Sequence, residues 1–538
     1  MMKNIFKITI LATMVAGFCS CNDWLELSST DSLSSQNVWE DEASADLYVN
    51  GFYTYLNKYG QFGTLQFQGS LTESLTDAFK YGSYALGHKA GHPNNYVFNP
   101  AVITSAGSLY GCWDAAYEQI RRMNQFLNSM RKYSNFTEEQ ETEWEAQTRF
   151  FRAYVYFQLA KRHDGVILYT DLDEMQNNKA RSTNEETWDL IESDLDYAIA
   201  NLPESWAASA DKGRLTKYAA LAFKSRAMLY AERWQDAYDA ASAVINSKLY
   251  GLVIDSLKCA GNNKEAILEF DYDKSGPYHT FDKDYVPLSD GYEYGGMGTP
   301  TQEMVESYEK ADGTKMDWTP YHTATSARPP YESLEPRFKN TIIYPGCKWK
   351  GNVMQNSVNG TYGMFMAYRA NPYTYGYTTT GYYLRKLMNE SLTDVKGVPS
   401  TQPWVELRYA EVLLNKAEAA YKLNKIDSAQ ICMNEVRTRV GLPGKFTTGA
   451  TWFKDYRNER KVELAYEGQL FWDMRRWKLA HIEYNNYRCH GYKITGENYE
   501  YIDVDYQDRK FLEKTYVLPI PDAELQNNSL MVQYDEWL

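Results

Sequence analysis

The chain reads as a mostly α-helical protein, a scaffold of helix pairs that carries one large loop-rich insertion. Three observations predict this. Alanine-rich helical segments come in pairs joined by a short turn at 216–247 and again at 405–440. Between the pairs, residues 251–399 hold 10 of the 17 prolines and 15 of the 33 glycines, a density that excludes long regular helices there. Before residue 250 the apolar residues recur three and four apart, the spacing of a helix face.

The N-terminus has a basic start (Lys3, Lys7) and an apolar run from Ile8 to Phe18. That run is much shorter than the ~20 residues a membrane-spanning helix needs, so it predicts an export signal. Ser20 and Cys21 follow it and resemble the bacterial lipoprotein signal, in which the cysteine is acylated and becomes the first residue of the mature chain; Phe18 departs from the usual Leu. We divide the chain into a signal peptide at 1–20, a flexible tether at 21–36, a helical part at 37–250, and a C-terminal part at 251–538 that contains the insertion 251–399. A tether of about fifteen residues reaches roughly 50 Å when extended.

Helices are predicted over 42–59, 110–130, 138–161 and 184–202. The last opens on Thr183-Asn184-Glu185-Glu186, a capping box, and stops before Pro203. The two clear pairs follow, TKYAALAFKSRAMLYAE with WQDAYDAASAVINS, and VELRYAEVLLNKAEAAYKLNK with IDSAQICMNEVRTRV. They resemble tetratricopeptide (TPR) units, with small residues where two helices approach closely. Two such units are too few to stand alone, so the earlier helices must complete the array. A charged helix is predicted over 451–480, with Glu459, Glu463 and Glu467 four apart on one face, the pattern of a salt-bridged docking helix.

The protein carries a net charge of −14, from 70 acidic and 56 basic residues. An acidic surface argues against nucleic-acid phosphate or anionic lipid as the main partner, leaving membrane attachment to the lipid anchor. Seven cysteines are scattered, with no C-x-x-C, and point to buried thiols rather than a disulfide framework or a zinc site. His88 and His92 sit among Gly87, Gly91 and Pro93, which keeps them from sharing a helix face toward a metal. No cofactor motif and no nucleophile elbow, zinc-protease or P-loop pattern occurs, so the reading is non-enzymatic.

Several stretches together resemble the SusD/RagB surface lipoproteins: SCNDWLE, TRFFRAYVYFQLAKRHDGV, EPRFKNTIIYPG, GYYLRKL, LRYAEVLLNKAEA, NEVRTRVGLPG, NERKVELAYEGQLFWDMRRWK and LPIPDAEL. They run in order from about residue 20 to the end. RHDGVIL and the C-terminal ending depart from the family pattern. The resemblance implies about four TPR-like helix pairs carrying the loop-rich part, binding of oligosaccharide or another nutrient without catalysis, anchorage in the outer membrane facing the exterior, and a SusC-like TonB-dependent barrel as partner.

These signatures are framework, so the ligand site is sought in the loops. Sugars present apolar C–H faces and many hydroxyls, and exposed aromatics flanked by polar groups suit them. One candidate loop follows Thr76-Asp77, with Tyr81, Tyr84, His88 and Asn94. A second region holds Tyr292, Tyr294, Trp318 and Tyr321, with Arg328 near. Tyr373-Thr374-Tyr375-Gly376-Tyr377 is a third. Two alternatives stay open: a TPR-type protein- or peptide-binding scaffold, and a lipid-anchored glycoside hydrolase, which would need two carboxylates about 5–10 Å apart.

Overall fold

The computed structural model describes residues 41–67, 70–82, 93–108, 110–208, 211–254, 261–291, 295–367 and 376–538. The leader, Cys21 and the tether lie outside them. Eight helices build the scaffold: α1 (Glu42–Phe52), α2 (Trp113–Tyr133), α3 (Glu138–Ala160), α4 (Asn184–Asn201), α5 (Lys217–Tyr230), α6 (Trp234–Ser247), α7 (Tyr409–Lys422) and α8 (Ile426–Arg439). They pair as α3–α4, α5–α6 and α7–α8, with α2–α3, α4–α5 and α6–α7 stacked between them, while α1 packs on α3 and sets Tyr48 and Phe52 against Phe126 of α2.

Local sequence explains the starts. Asp41 accepts from the backbone N–H of Ser44 ahead of α1. Capping boxes open α3, with Thr137 and Gln140, and α4, with Thr183 and Glu186. Each satisfies donors that a bare helix end leaves orphaned. The shared core is aromatic where α3 meets α5, with Phe150, Tyr154 and Phe157 around Phe223. Alanines Ala219, Ala220, Ala227, Ala237 and Ala241 let α5 and α6 close on each other.

The insertion leaves the array after α6 and returns before α7. Its two ends are joined, because β2 (Ala266–Phe270) pairs antiparallel with β4 (Trp404–Arg408). Two other short ladders matter below: β1 (Phe79–Tyr81) pairs with β3 (Gly298–Pro300), and β5 (His490–Thr495) with β6 (Asn498–Asp503). A second core draws on three distant stretches, with Phe79, then Tyr285, Tyr331, Phe338, Tyr382 and Tyr383, then Tyr466 and Tyr492. Many of the insertion's tyrosines are therefore structural. Their hydroxyls find partners: Tyr331 and Tyr382 bond each other at 2.9 Å, and Tyr382 donates to Gln302 at 2.6 Å.

The helix expected over 451–480 is broken. It forms α9 (Gly449–Glu463) and α10 (Leu470–Arg476), separated by a turn in which Tyr466 and Gly468 take positive φ of 62° and 77°. Buried partners favour the break. The Gly468 N–H donates to the Glu73 carboxylate at 2.9 Å, and the Tyr466 hydroxyl donates to the Ala78 carbonyl at 3.0 Å. Cys112, Cys347, Cys432 and Cys489 are buried free thiols; Cys259 lies outside the described residues.

Candidate ligand-binding face

The three candidate loop regions converge at their roots. Tyr81 pairs with Gly298 at the end of the β1–β3 ladder. Three residues before Gly298, the Gly295 carbonyl accepts from the Gly376 N–H at 2.6 Å, and the Gly376 carbonyl in turn accepts from the Leu288 N–H at 2.9 Å. Gly296 has a φ of 61°, and a Cβ there would come within 3.0–3.3 Å of Gly376, so this crossing needs glycine. Backbone hydrogen bonds thus gather positions 81, 295 and 376, next to three segments whose aromatics the sequence singles out. Tyr84, Tyr292, Tyr294, His88, Tyr373 and Tyr375 lie outside the described residues; of Asn94 only its place in a short helix, Pro93–Phe98, is described.

A cleft of about 190 Å³ opens in the same neighbourhood, lined by Gln61, Phe62, Thr64, His279, Asp284 and Met297 among others. The Met297 N–H donates to the Asp284 carbonyl at 2.9 Å, which ties the cleft wall to the loop roots. Phe62 stacks on His279 with ring centroids 4.0 Å apart and planes 15° from parallel. Burial lowers the His279 pKa to about 4, so at neutral pH its ring is an uncharged flat surface, held by the Gln402 carbonyl 3.0 Å from Nε2. Asp284 accepts from the Thr280 hydroxyl at 2.6 Å, and burial raises its pKa. The chemistry is an apolar plate beside a hydrogen-bonding carboxylate and hydroxyls. The volume is below that of a typical ligand pocket, so the cleft takes one end of a ligand and depends on the adjoining loops for more wall.

The sequence-selected residues divide. Tyr81 is 2% exposed, and burial, with the Asp284 charge next in effect, pushes its pKa far up. It is buried and presents no open ring face. Trp318 is 6% exposed and packs edge-on to Tyr321 at 6.2 Å and near Tyr331 at 6.5 Å, inside the second core. Arg328 is occupied by Glu332 in a two-point pair and by the Pro345 carbonyl at 2.8 and 3.0 Å. Trp318, Tyr321 and Arg328 belong with the β5–β6 hairpin: the Tyr321 carbonyl accepts from the Tyr492 hydroxyl, and the β6 backbone N–H groups of Tyr499 and Tyr501 donate to Ser326 and Thr323. Only Tyr321 in that trio keeps a half-exposed ring without a strong polar commitment. The expectation that Trp318 stacks on a ligand therefore meets a physical obstacle, since a filled core position has no face to give.

Phe62, His279 and Asp284 were not legible as site residues. Phe62 lies more than 200 positions from the other two along the chain, and the short GQFGT stretch around it carries no motif.

Residues 264–537 match the SusD family, and residues 23–229 match a family described as starch-binding associating with outer membrane. The chain belongs to the SusD family. A curated SusD-like protein of Bacteroides ovatus is 25% identical over 504 residues, covering 88% of this chain and 82% of the relative. The solved structure of a SusD-like protein from Bacteroides fragilis superposes with a TM-score of 0.82 at 26% identity, covering 94% of this chain and 99% of that one. A second from the same species, described as a SusD-like carbohydrate binding protein, gives a TM-score of 0.76 at 24% identity over 92% of this chain and 99% of that one. For this SusD-family chain the likeness fixes the mostly helical fold, the helix pairs included.

Proposed function

We propose that the protein is a non-catalytic surface glycan-binding lipoprotein. It is anchored in the outer membrane through an acylated Cys21, faces the exterior, and delivers oligosaccharide to a SusC-like TonB-dependent transporter. The observation that carries the reading is the convergence, on a SusD-family frame, of three aromatic loop roots beside a cleft with a stacked ring pair. The description of a structural relative as carbohydrate binding supports it. So does the cleft's single lining carboxylate among the described residues, Asp284, where a glycosidase would place two facing the ligand. The ligand contacts fall to Phe62 and Asp284 with Tyr84, Tyr292 and Tyr294.

The test uses the Cys21→Ala form, which should leave the membrane fraction and stay folded. Titrated against a panel of oligosaccharides, it should bind one class with a Kd of roughly 10 µM to 1 mM. Tyr84→Ala, Tyr294→Ala and Phe62→Ala should each weaken that binding about tenfold. Unchanged affinity in all three removes this placement, and sugar release from a labelled oligosaccharide would favour the hydrolase reading instead.

A further inference from the structure

Twelve of the fourteen acids buried among the described residues pair with an arginine or a lysine. The two that do not are Glu73 and Asp282, and both are bonded into the frame of the Phe62–His279 cleft. Glu73 accepts from the side-chain amide of Gln61, a residue of the cleft wall, at 2.8 Å and from the Gly468 N–H at 2.9 Å. Asp282 directly follows Phe281, which also lines the wall. It accepts from the Ser400 hydroxyl at 2.6 Å, the Gln402 side-chain amide at 2.9 Å and the Asn389 N–H at 2.6 Å. The carbonyl of that same Gln402 faces His279 Nε2.

Asp284 makes a third such acid. It lines the cleft itself, accepts from the Thr280 hydroxyl at 2.6 Å, and forms no ion pair among the described residues. Burial raises its pKa, and the Thr280 bond and then the charge of Lys283 oppose the rise, but Lys283 is not in the wall. The partners that hold the three carboxyls are neutral donors. Such donors favour the ionised form without cancelling its charge.

Nothing positive answers these acids inside the cleft. Among the described residues its wall carries no lysine or arginine, and the His279 ring is neutral, with a pKa lowered by burial to about 4. Phe62, Phe67, Phe281 and Tyr285 make much of the remaining surface. Aromatic walls of low polarisability to charge screen a field poorly, so the potential in the cleft is negative.

Resting on the reading of this cleft as the sugar site, we propose that it takes the uncharged end of a neutral oligosaccharide and rejects uronates, with Asp284 as the residue that discriminates. A sugar hydroxyl donates to the Asp284 carboxylate and gains from the field. A sugar carboxylate placed there meets a like charge with no cation to answer it, and like charges brought together across a desolvated contact are strongly disfavoured. Selectivity of this kind works by repelling the wrong ligand as much as by holding the right one.

The test titrates the Cys21→Ala form with matched pairs: oligomers of glucose, galactose and mannose, each beside the oligomer of the corresponding uronate. A neutral member should bind, Phe62→Ala should weaken it, and its uronate partner should bind at least about tenfold more weakly. In Asp284→Asn, which keeps the shape of the side chain and removes the charge, the gap should narrow to within about threefold. If that variant does not fold, the ratio in the Cys21→Ala form decides by itself. A uronate that binds as tightly as its neutral partner, or a folded Asp284→Asn that keeps the whole gap, overturns the proposal while leaving glycan binding in place. Neutral binding that Phe62→Ala leaves unchanged puts the sugar outside the cleft and overturns it too. Failure of every member to bind removes the glycan-binding reading itself, and the selectivity with it.

Discussion

Arg408 and Glu463 meet at 2.7 Å with their side chains 3% and 1% exposed, and they join the insertion's return strand to the end of the helix that docks on the array. Arg408 closes β4 and precedes α7; Glu463 is the last residue of α9. Around them, Arg408 also holds Glu265 and Glu467, Glu463 also holds Arg337 and Arg439, and Lys386 reaches Glu467. Burial opposes the Glu463 charge, but Arg439, Arg408, Arg337 and Lys386 outweigh it and hold the carboxyl well below the usual range.

Glu463→Gln should therefore be severe. It leaves three arginines short of a charge in a dry interior, a loss of about 3–5 kcal/mol. Chemical denaturation should show the midpoint shift. A loss below about 1 kcal/mol would mean that water reaches the network.

Acid should weaken the same region. Burial disfavours ionised Glu467, yet Arg408 and Lys386 bring its pKa from 4.5 down to about 2. Glu418 falls to about 2 under Arg476 and Arg460 against the same burial penalty. A folded pKa below the unfolded one gives stability that is complete above about pH 5 and is lost as pH falls toward 2, on the order of 3 kcal/mol per group. Glu73 and Asp282, raised by burial, act the opposite way. The difference between wild type and Glu467→Gln isolates the effect. It should be large at pH 7 and should shrink toward zero near pH 2; a difference that stays constant with pH would exclude the ion pairs as its source.

Trp318→Ala should lower stability by about 3–5 kcal/mol, the cost of emptying a large aromatic core position. Glycan affinity measured well below its melting temperature should stay within about twofold of wild type. Selective loss of binding with an unchanged melting temperature would return Trp318 to the ligand site.

Features governed by neighbours in sequence were legible before the fold. The Thr183–Glu186 cap, the alanine pairs at 216–247 and 405–440, and the shared face of Glu459 and Glu463 on α9 all follow from spacings of three or four residues. Features governed by distant partners were not. Nothing near Arg408 announces Glu265, 143 positions away. The break at Tyr466–Gly468 answers to Glu73 and Ala78, almost 400 positions earlier. Aromatic density misled for a similar reason: tyrosine serves a hydrated binding surface and a hydrogen-bonded core equally well, and Tyr331 and Tyr382 became core only because Gln302 and their own hydroxyls were there to satisfy them.

The antiparallel joining of β2 to β4 also sets a timetable. α6 ends at Ser247 and packs against α7, which begins at Tyr409, 162 positions later. A chain emerging from its N-terminus completes three helix pairs while the face of α6 still lacks its cover. Closing so long a loop is slow compared with forming a local helix pair. Until most of the chain has emerged, α6 therefore presents an apolar helix face with no cover, and folding proceeds cleanly only if that face is held apart from others in the meantime.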